Sequence, residues 1–378
     1  MTSPAVSAPH AQSAAALKLL SPTGHLGFTP IEEASFWTGV ERRPDYIVAD
    51  SGSCDIGPQA LGADAEASPE AWQEHDLELM LIASRRLGVP MIVGSAGDTG
   101  TDRGVRKFAQ IIRRLAKKHG LAPFRMATIY SQQDPEEIKK RLERGAWTAG
   151  LDGRPPLTAE DLDASDNVVA VMGVEPILAA LQGGADVVIA GRACDPALFA
   201  APLLHEGYPW DIAYFSGKLL ECASFCAEPF AGKESVLGHV ERDAIVLEPM
   251  SDYQRCTPAS VAAHAMYERS DPTREYLPGG YVDMSECRYE AVDERRTRVT
   301  GSRWVSSPRY TIKLEGAGKV GERAVMIIGI RDPNTIARLD DALAWSRQKT
   351  AERFSGPEYE AHYHVYGKNG VMGEMEPV

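Results

Sequence analysis

The stretch Met91-Ile-Val-Gly-Ser-Ala-Gly-Asp-Thr-Gly-Thr-Asp102 decides the fold, because it combines a short strand, a glycine loop and the start of a helix. Its first residues, 91–95, are mostly apolar, as in a strand that is covered on both faces. Residues 102–119 then carry apolar side chains at helical spacing and end in a basic turn before Gly120. A strand that leads through a loop into a helix is the repeating unit of a parallel α/β sheet.

The same unit recurs along the first two-thirds of the chain. A helix is predicted over 70–87, and short strands are predicted at 17–20, 46–50, 91–95, 125–130, 168–172 and 186–190. These patterns predict an α/β fold of the doubly wound type, with a mostly parallel sheet and flanking helices, in residues 17–227. Residues 1–16 are predicted to be a disordered tail, and 150–166 a flexible insertion.

After about residue 227 the pattern changes to longer polar strands, which predicts a smaller α+β domain in residues 228–378. The predicted elements there are helices at 257–268 and 334–354 and strands at 281–289, 296–299, 310–314 and 325–330. The abrupt end at Val378 suggests that this domain is truncated.

Composition and charge argue against several classes of protein. Lys plus Arg total 40 against 53 for Asp plus Glu, and the resulting net charge of -13 disfavours nucleic acid as a partner. No apolar run is long enough to span a bilayer, and the amino-terminal stretch lacks the features of a signal peptide. Six thinly spread cysteines fit reduced thiols. We therefore expect a cytoplasmic protein without a structural disulfide, which binds neither nucleic acid nor membranes.

Open parallel sheets bind ligands beyond the carboxyl ends of their strands, so the loops at that edge are the candidate sites. The loop after the third strand brings Gly97, Thr99 and Gly100 to the start of a helix, a composition suited to directing backbone N–H groups at an anionic substrate. Asp98 in the same loop is a candidate for proton transfer. The glycine spacing is not that of a Walker or dinucleotide-binding loop, and tight turns have similar compositions.

Candidate acids and bases also follow the first two strands. Gly24 is a candidate for substrate binding, and His25 beside it is a candidate general acid or base, with a surface histidine as the alternative. Asp50 and Asp55, with Cys54 between them, suit acid–base or metal chemistry. Aspartates at strand ends also stabilise loops, and packing is the favoured interpretation of Cys54.

The loop after the sixth strand, Gly191-Arg-Ala-Cys-Asp-Pro196, is the most specific in the chain. Arg192 offers a planar fork that suits a substrate carboxylate or phosphate, and Asp195 precedes a helix that starts with proline. Two structural alternatives stay open. Arg192 can instead pair with a buried acid such as Asp50 or Asp98, and Asp195 can act as a helix cap.

Lys218 and Glu221 are three residues apart, so they lie on one face if their segment is helical. Both are candidates for substrate binding, with a solvated ion pair as the alternative. Cys222 and Cys226 lack the second pair that a zinc site needs, so no metal ligand is predicted and the cofactor requirement stays open.

These loops, together with residues 26–40 and 184–192, resemble the AtuA family of acyclic terpene utilisation proteins. The likeness covers nearly the whole chain and includes Lys218-Leu-Leu-Glu-Cys222 and Tyr366-Gly-Lys-Asn-Gly-Val-Met-Gly373. The resemblance implies a bacterial catabolic protein that degrades branched acids through acyl-CoA intermediates, often beside a small companion protein. Lyase or hydratase chemistry is the usual conjecture for the family, whose members tend to continue beyond Gly373.

We therefore predict a lyase or hydratase that acts on a small carboxylate or a branched hydroxyacyl-CoA. In this hypothesis Arg192 clamps the anion, Asp195 orients Arg192, and Asp50, Asp55 or Asp98 moves a proton. The candidate loops should then converge on one cleft. The alternative is a non-catalytic anion-binding or scaffolding subunit whose activity resides in a partner. A homo-oligomer is expected in either case.

Overall fold

The computed structural model describes residues 16–52, 58–146, 148–356, 358–368 and 370–375. Asp55 and Cys54 lie outside the described residues, so the hypotheses on them stay predictions. The chain divides into two compact units, Met1–Lys319 and Val320–Val378, and each is described by itself.

Strands and helices alternate through most of the first unit. Its strands are β1 (Leu17–Ser21), β2 (Tyr46–Gly52), β3 (Met91–Asp98), β4 (Met126–Ile129), β5 (Asn167–Ala170), β6 (Val187–Ala190), β7 (Val236–Val240), β8 (Ala244–Pro249), β9 (Arg274–Leu277), β10 (Gly280–Asp283), β11 (Arg288–Ala291), β12 (Thr297–Thr300), β13 (Arg303–Ser306) and β14 (Leu314–Ala317). Its helices are α1 (Glu33–Glu41), α2 (Pro58–Ala63), α3 (Glu70–Leu87), α4 (Asp102–Lys118), α5 (Pro135–Glu143), α6 (Ala159–Asp163), α7 (Glu175–Gln182), α8 (Asp195–His205), α9 (Trp210–Leu220) and α10 (Pro258–Ala265). Short 3₁₀ turns occur at Leu151–Gly153 and Ala223–Cys226.

A nine-stranded sheet forms the centre of this unit, with strand order β11-β12-β8-β7-β1-β2-β3-β6-β4 in the described residues. Strands β1, β2, β3, β6 and β4 pair in parallel, and strands β7, β8, β12 and β11 extend the sheet in antiparallel fashion. Apolar clusters cover both faces of the parallel part. The predicted α/β fold, a large mostly parallel central sheet flanked by helices with smaller antiparallel sheets, is confirmed.

The fifth predicted strand is not part of the central sheet. Strand β6 pairs with both β3 and β4, so it already has a neighbour on each side. Strand β5 instead pairs with β14 in a separate antiparallel two-stranded sheet, where Ala170 lies opposite Leu314. An apolar run fits either position, because its composition does not specify which strand it pairs with.

The clearest predicted helices are observed, and their ends have the expected chemistry. Helix α3 spans the predicted residues and ends at Gly88, which is left-handed with a φ of 70°. Helix α4 begins after Thr101, whose side chain accepts a hydrogen bond from the Gly104 backbone N–H. Segment 150–166 is more structured than the predicted flexible insertion, because it contains α6 and buries Leu162 against Ile138.

The first compact unit continues well past residue 227, where a domain boundary was predicted. Strands β7, β8, β12 and β11 all follow that residue, yet they extend the central sheet from β1. Region 281–289, predicted as one strand, forms β10 and β11 in different sheets, and the strand predicted at 310–314 begins only at Leu314. Long-range pairing therefore joins the two predicted domains around one sheet.

The second unit contains α11 (Pro333–Ala337), α12 (Leu339–Arg353) and a 3₁₀ turn at Gly373–Met375. The single helix predicted over 334–354 is thus two helices. The strand predicted at 325–330 is not observed, and Ile327 is 94% exposed. An apolar run needs a neighbouring strand to complete its backbone hydrogen bonds, and the described residues of this unit contain none.

Among the described residues, no helix combines the length and the apolar character that crossing a membrane requires.

Candidate functional site

The loops after β1, β3 and β6 and the last residues of β2 meet at the carboxyl edge of the parallel strands. The Leu26 N–H donates to the Asp50 carbonyl oxygen at 2.9 Å, which joins the loop after β1 to the end of β2. The Arg192 N–H donates to the Gly100 carbonyl oxygen at 3.1 Å, which joins the loops after β3 and β6. Arg192 therefore lies at the same edge of the sheet as Asp98, which ends β3.

The guanidinium of Arg192 is the centre of a largely buried polar group, which we call the Arg192 cluster (Asp50, Ser95, Arg192, Asp195 and Glu315). Its Nε and Nη2 donate to the two Glu315 carboxylate oxygens at 2.9 and 3.3 Å. Its Nη1 donates to Ser95 Oγ at 3.0 Å and to Asp195 Oδ1 at 3.3 Å. The Arg192 side chain is only 7% exposed. The Arg192 guanidinium is thus bound by side chains of the protein itself.

In the loop after β6, the structure differs from two of the predicted structural alternatives. The acid that holds Arg192 in a bidentate pair is Glu315 from β14, although the sequence had offered Asp50 or Asp98. Asp195 does not cap its helix: the capping position of α8 is Cys194, and the Asp195 carboxylate accepts from Arg192 instead. The predicted contact in which Asp195 orients Arg192 is present.

Two carboxyl groups of the Arg192 cluster have perturbed affinities for protons. Burial and the charge of Asp195 raise the pKa of Asp50 well above its ordinary value, against the opposing charge of Arg192. Burial also raises the pKa of Asp195 to about 6, although Arg192 counteracts the shift. Asp50 Oδ2 accepts from the Gly52 N–H at 3.2 Å, whereas buried Oδ1 has no hydrogen-bond partner in the described part of the chain. Asp195 can therefore exchange a proton close to neutral pH, and the protonated form of Asp50 is favoured relative to that of an ordinary aspartate.

Asp98 has a different environment. Its carboxylate accepts hydrogen bonds from the Ala67 and Ser68 N–H groups at 2.8 Å and from Ser68 Oγ at 2.6 Å. His25 Nε2 lies 3.6 Å from Asp98 Oδ1. Burial opposes the charged form, but the nearby His25 imidazole and the hydrogen bonds from Ser68 still hold the pKa of Asp98 below its usual value. Asp98 is therefore an ionised acceptor that joins loops, and it is poorly placed to exchange protons near pH 7.

A second buried charge group, the Lys218 cluster (Lys218, Glu221, His264, Arg269 and Glu275), lies beside the first. Lys218 Nζ is 2.5 Å from Glu221 Oε1, and their side chains are only 5% and 6% exposed, so the alternative of a solvated ion pair is wrong. Arg269 forms an ion pair with Glu275. Burial lowers the pKa of His264 to about 4, so this imidazole is neutral at pH 7. The charge of Glu221 raises the pKa of Asp195, which connects the two clusters electrostatically.

Comparison with models of known protein families gives a match over nearly the whole chain. A family model described as "Acyclic terpene utilisation family protein AtuA" matches residues 17–377, nearly the whole chain. The chain belongs to the AtuA family. No curated protein and no solved structure matches it. Membership gives this AtuA protein a role in acyclic terpene utilisation, as the sequence resemblance implied.

The backbone of the AtuA protein is strained at three residues with side chains around these clusters. Ser95, Asp98 and Cys222 adopt φ angles of 47°, 68° and 45°, a left-handed region that residues with side chains seldom occupy. Ser95 thereby directs its hydroxyl at Arg192, and Cys222 directly follows Glu221. Strained residues concentrate at functional sites because surrounding contacts hold them there.

The glycines predicted to cradle an anion make close contacts within the protein. A Cβ built on Gly97 would lie 2.8 Å from the Gly104 Cα, and one built on Gly24 would lie 2.5 Å from Ser224 Oγ. Thr99 is 7% exposed, and its Oγ1 lies 3.5 Å from the Gly97 carbonyl oxygen. Packing alone explains why small residues occupy these positions.

Gly100 provides a test of this packing role. It has a φ of +66°, and an added Cβ would lie 2.2 Å from the Arg192 backbone nitrogen. We expect Gly100→Ala to lower the free energy of unfolding by about 2 kcal/mol or more, measured by urea denaturation. Gly120→Ala is the matched control, because Gly120 has a φ of +59° and no atom within 4 Å of the added Cβ. Equal losses in both variants would contradict the packing role.

Several residues of the site carry no signal in the sequence that could have identified them. Glu315 and Glu275 lie in short strands without a recognisable motif, and Lys313 precedes β14. Ser95 belongs to the quoted loop, but its φ angle is not readable from composition. Within the described residues, no group of three or more His, Cys, Asp and Glu side chains is arranged to hold a metal ion.

Proposed function

We propose that the chain is a lyase of the hydratase or dehydratase type, acting on a small carboxylate or a branched hydroxyacyl-CoA in bacterial catabolism. The observation that carries this proposal is the pair of neighbouring carboxyl groups, Asp50 and Asp195, whose pKa values are both raised at the carboxyl edge of the sheet. Elimination of water requires one group that accepts a proton and one that donates it. A pair of carboxyl groups with different environments supports both roles.

In the proposed dehydration, ionised Asp195 removes a proton from the carbon next to the carbonyl group. The C–H electron pair forms the C=C bond, the C–O bond of the β-hydroxyl breaks, and Asp50 donates its proton to the leaving oxygen, which departs as water. Proton exchange with solvent then restores both groups, and hydration is the reverse sequence. Asp195 is suited to contact a substrate because its side chain is 26% exposed. Arg192, with Glu315 and Ser95, holds Asp195 in position.

The direct test is an assay of the purified chain alone on branched enoyl-CoA thioesters and unsaturated dicarboxylates, with water addition followed by absorbance. We expect turnover without any partner. Turnover only after addition of a companion protein would instead favour the second candidate, a non-catalytic subunit. One observation favours this second candidate. The side chains of Arg192 and Asp98 already form hydrogen bonds with other groups of the chain.

The pH dependence of the reaction gives a second test. Because Asp195 must be ionised to accept a proton, and its pKa is about 6, we expect kcat/KM for dehydration to rise with pH through a limb near pH 6. In Asp195→Asn the limb should disappear along with most of the activity. A wild-type rate that is constant between pH 5 and pH 7 would count against Asp195 as the base.

A further inference from the structure

The cations around the two clusters differ in whether an acid of the chain already neutralises them. Arg192 holds Glu315, Lys218 holds Glu221, and Arg269 holds Glu275, each as an ion pair. An incoming anion would have to displace these carboxylates, which are themselves buried or largely buried. Such a displacement leaves a carboxylate without its partner and is therefore costly.

Lys313 differs from these three cations. It is exposed, and its side chain has no hydrogen bond or ion pair within the described ranges. Its backbone carbonyl accepts from the Val171 N–H at 2.9 Å, which extends the pairing of β14 with β5 by one residue. Since side chains alternate along a strand, Lys313 points to the same side as Glu315, the partner of Arg192. The residue directly before β14 thus carries an ammonium group that has no ion-pair partner among the described residues.

The charge of Lys313 acts on the residues of the proposed site. Its ammonium interacts electrostatically with Asp195, with Cys194 beside it, and with Glu275 of the Lys218 cluster. An exposed cation that interacts with the site in this way can bind an oxyanion and still leave the buried ion pairs intact.

We propose that Lys313 binds the anionic group of the substrate, a carboxylate or a phosphate, and positions it beside Asp195. This inference rests on the proposed function and transfers to Lys313 the anion-binding role that the sequence had suggested for Arg192. Arg192 is then a positioning residue, and its guanidinium holds the Asp195 and Glu315 carboxylates in place.

Isothermal titration calorimetry on the full chain tests the proposal with two probes, 3-methylbutyrate for a carboxylate and coenzyme A for a phosphate. We expect Lys313→Gln to weaken binding of at least one probe about tenfold or more, and Lys313→Arg to retain most of it. The probe that loses affinity identifies the source of the anion. Lys117→Gln is the matched control, since Lys117 is an exposed lysine on α4 and its removal changes the net charge equally.

Unchanged binding in Lys313→Gln, an equal loss in Lys117→Gln, or a wild-type chain that binds neither probe would each overturn the proposal. Binding is measured without turnover, so this result is independent of the acid–base mechanism. If Lys313 binds the anion but Asp50→Asn retains full activity, the proposed function fails while the binding role stands. In an active enzyme, Lys313→Gln should raise KM far more than it lowers kcat.

Discussion

Replacement of Asp50 by Asn is expected to reduce turnover by about 10²–10⁴-fold, because the amide cannot donate the proton that the leaving oxygen requires. The fold should survive, since Asn resembles a protonated aspartate in shape and Asp50 is buried with a strongly raised pKa. Activity is measured with the substrate found in the assay of the purified chain. Asp243→Asn is the control, because it also removes one carboxylate but at a side chain that is 83% exposed.

The same variant should change how stability depends on pH. A carboxyl group whose pKa is raised on folding binds more protons in the folded state than in the unfolded state, between the two pKa values. Its contribution to the free energy of unfolding therefore falls as pH rises above about 4, the value for an unfolded aspartate. An asparagine does not titrate, so Asp50→Asn lacks this pH-dependent decrease in the free energy of unfolding. The variant should therefore become progressively more stable relative to wild type from pH 4 to pH 7. A variant that is less stable than wild type at pH 7 and still active would contradict both the raised pKa of Asp50 and its role as proton donor.

Replacement of Arg192 by Ala is expected to lower the free energy of unfolding by about 3 kcal/mol, because it leaves Glu315 and Asp195 without their buried cation. Urea denaturation at neutral pH measures the loss. Arg192→Lys should recover part of the stability, since an ammonium keeps the charge but cannot reproduce the bidentate contact with both Glu315 oxygens.

A double-mutant cycle with Glu315→Gln separates this ion pair from other effects of the substitutions. The combined loss in Arg192→Ala/Glu315→Gln should be smaller than the sum of the two single losses, because the second substitution removes the charge that the first leaves unpaired. An unchanged stability in Arg192→Ala would refute the internal ion pair and return Arg192 to the role of a substrate clamp.

Local patterns predicted the parallel part of the fold well. Strands β2 and β3 and helix α3 were evident from short apolar runs, from helical spacing and from Gly88 at the helix end, all features within a few residues of each other. The position of the candidate loops followed as well, because parallel strands bring their carboxyl ends to one edge. The sequence alone therefore indicates Asp50, Arg192 and Asp195 as neighbours.

Other features depend on residues that are distant in the sequence. Arg192 and Glu315 are 123 positions apart, and no local pattern marks Glu315 as its partner. The pKa shifts of Asp50 and Asp195 arise mainly from burial, which follows from the packing of several elements around them. The position of Lys313 likewise depends on a distant segment, because its carbonyl oxygen accepts from the Val171 N–H.

The sequence by itself thus determined the family, the α/β class and the edge of the sheet that carries the polar loops, because these depend on motifs and on periodicity over short stretches. Only the tertiary structure decided which acid neutralises Arg192, which carboxyl groups have raised pKa values and which cation has no ion-pair partner among the described residues. Those properties depend on distance and on exclusion of water, and both are set when segments far apart in the chain pack together.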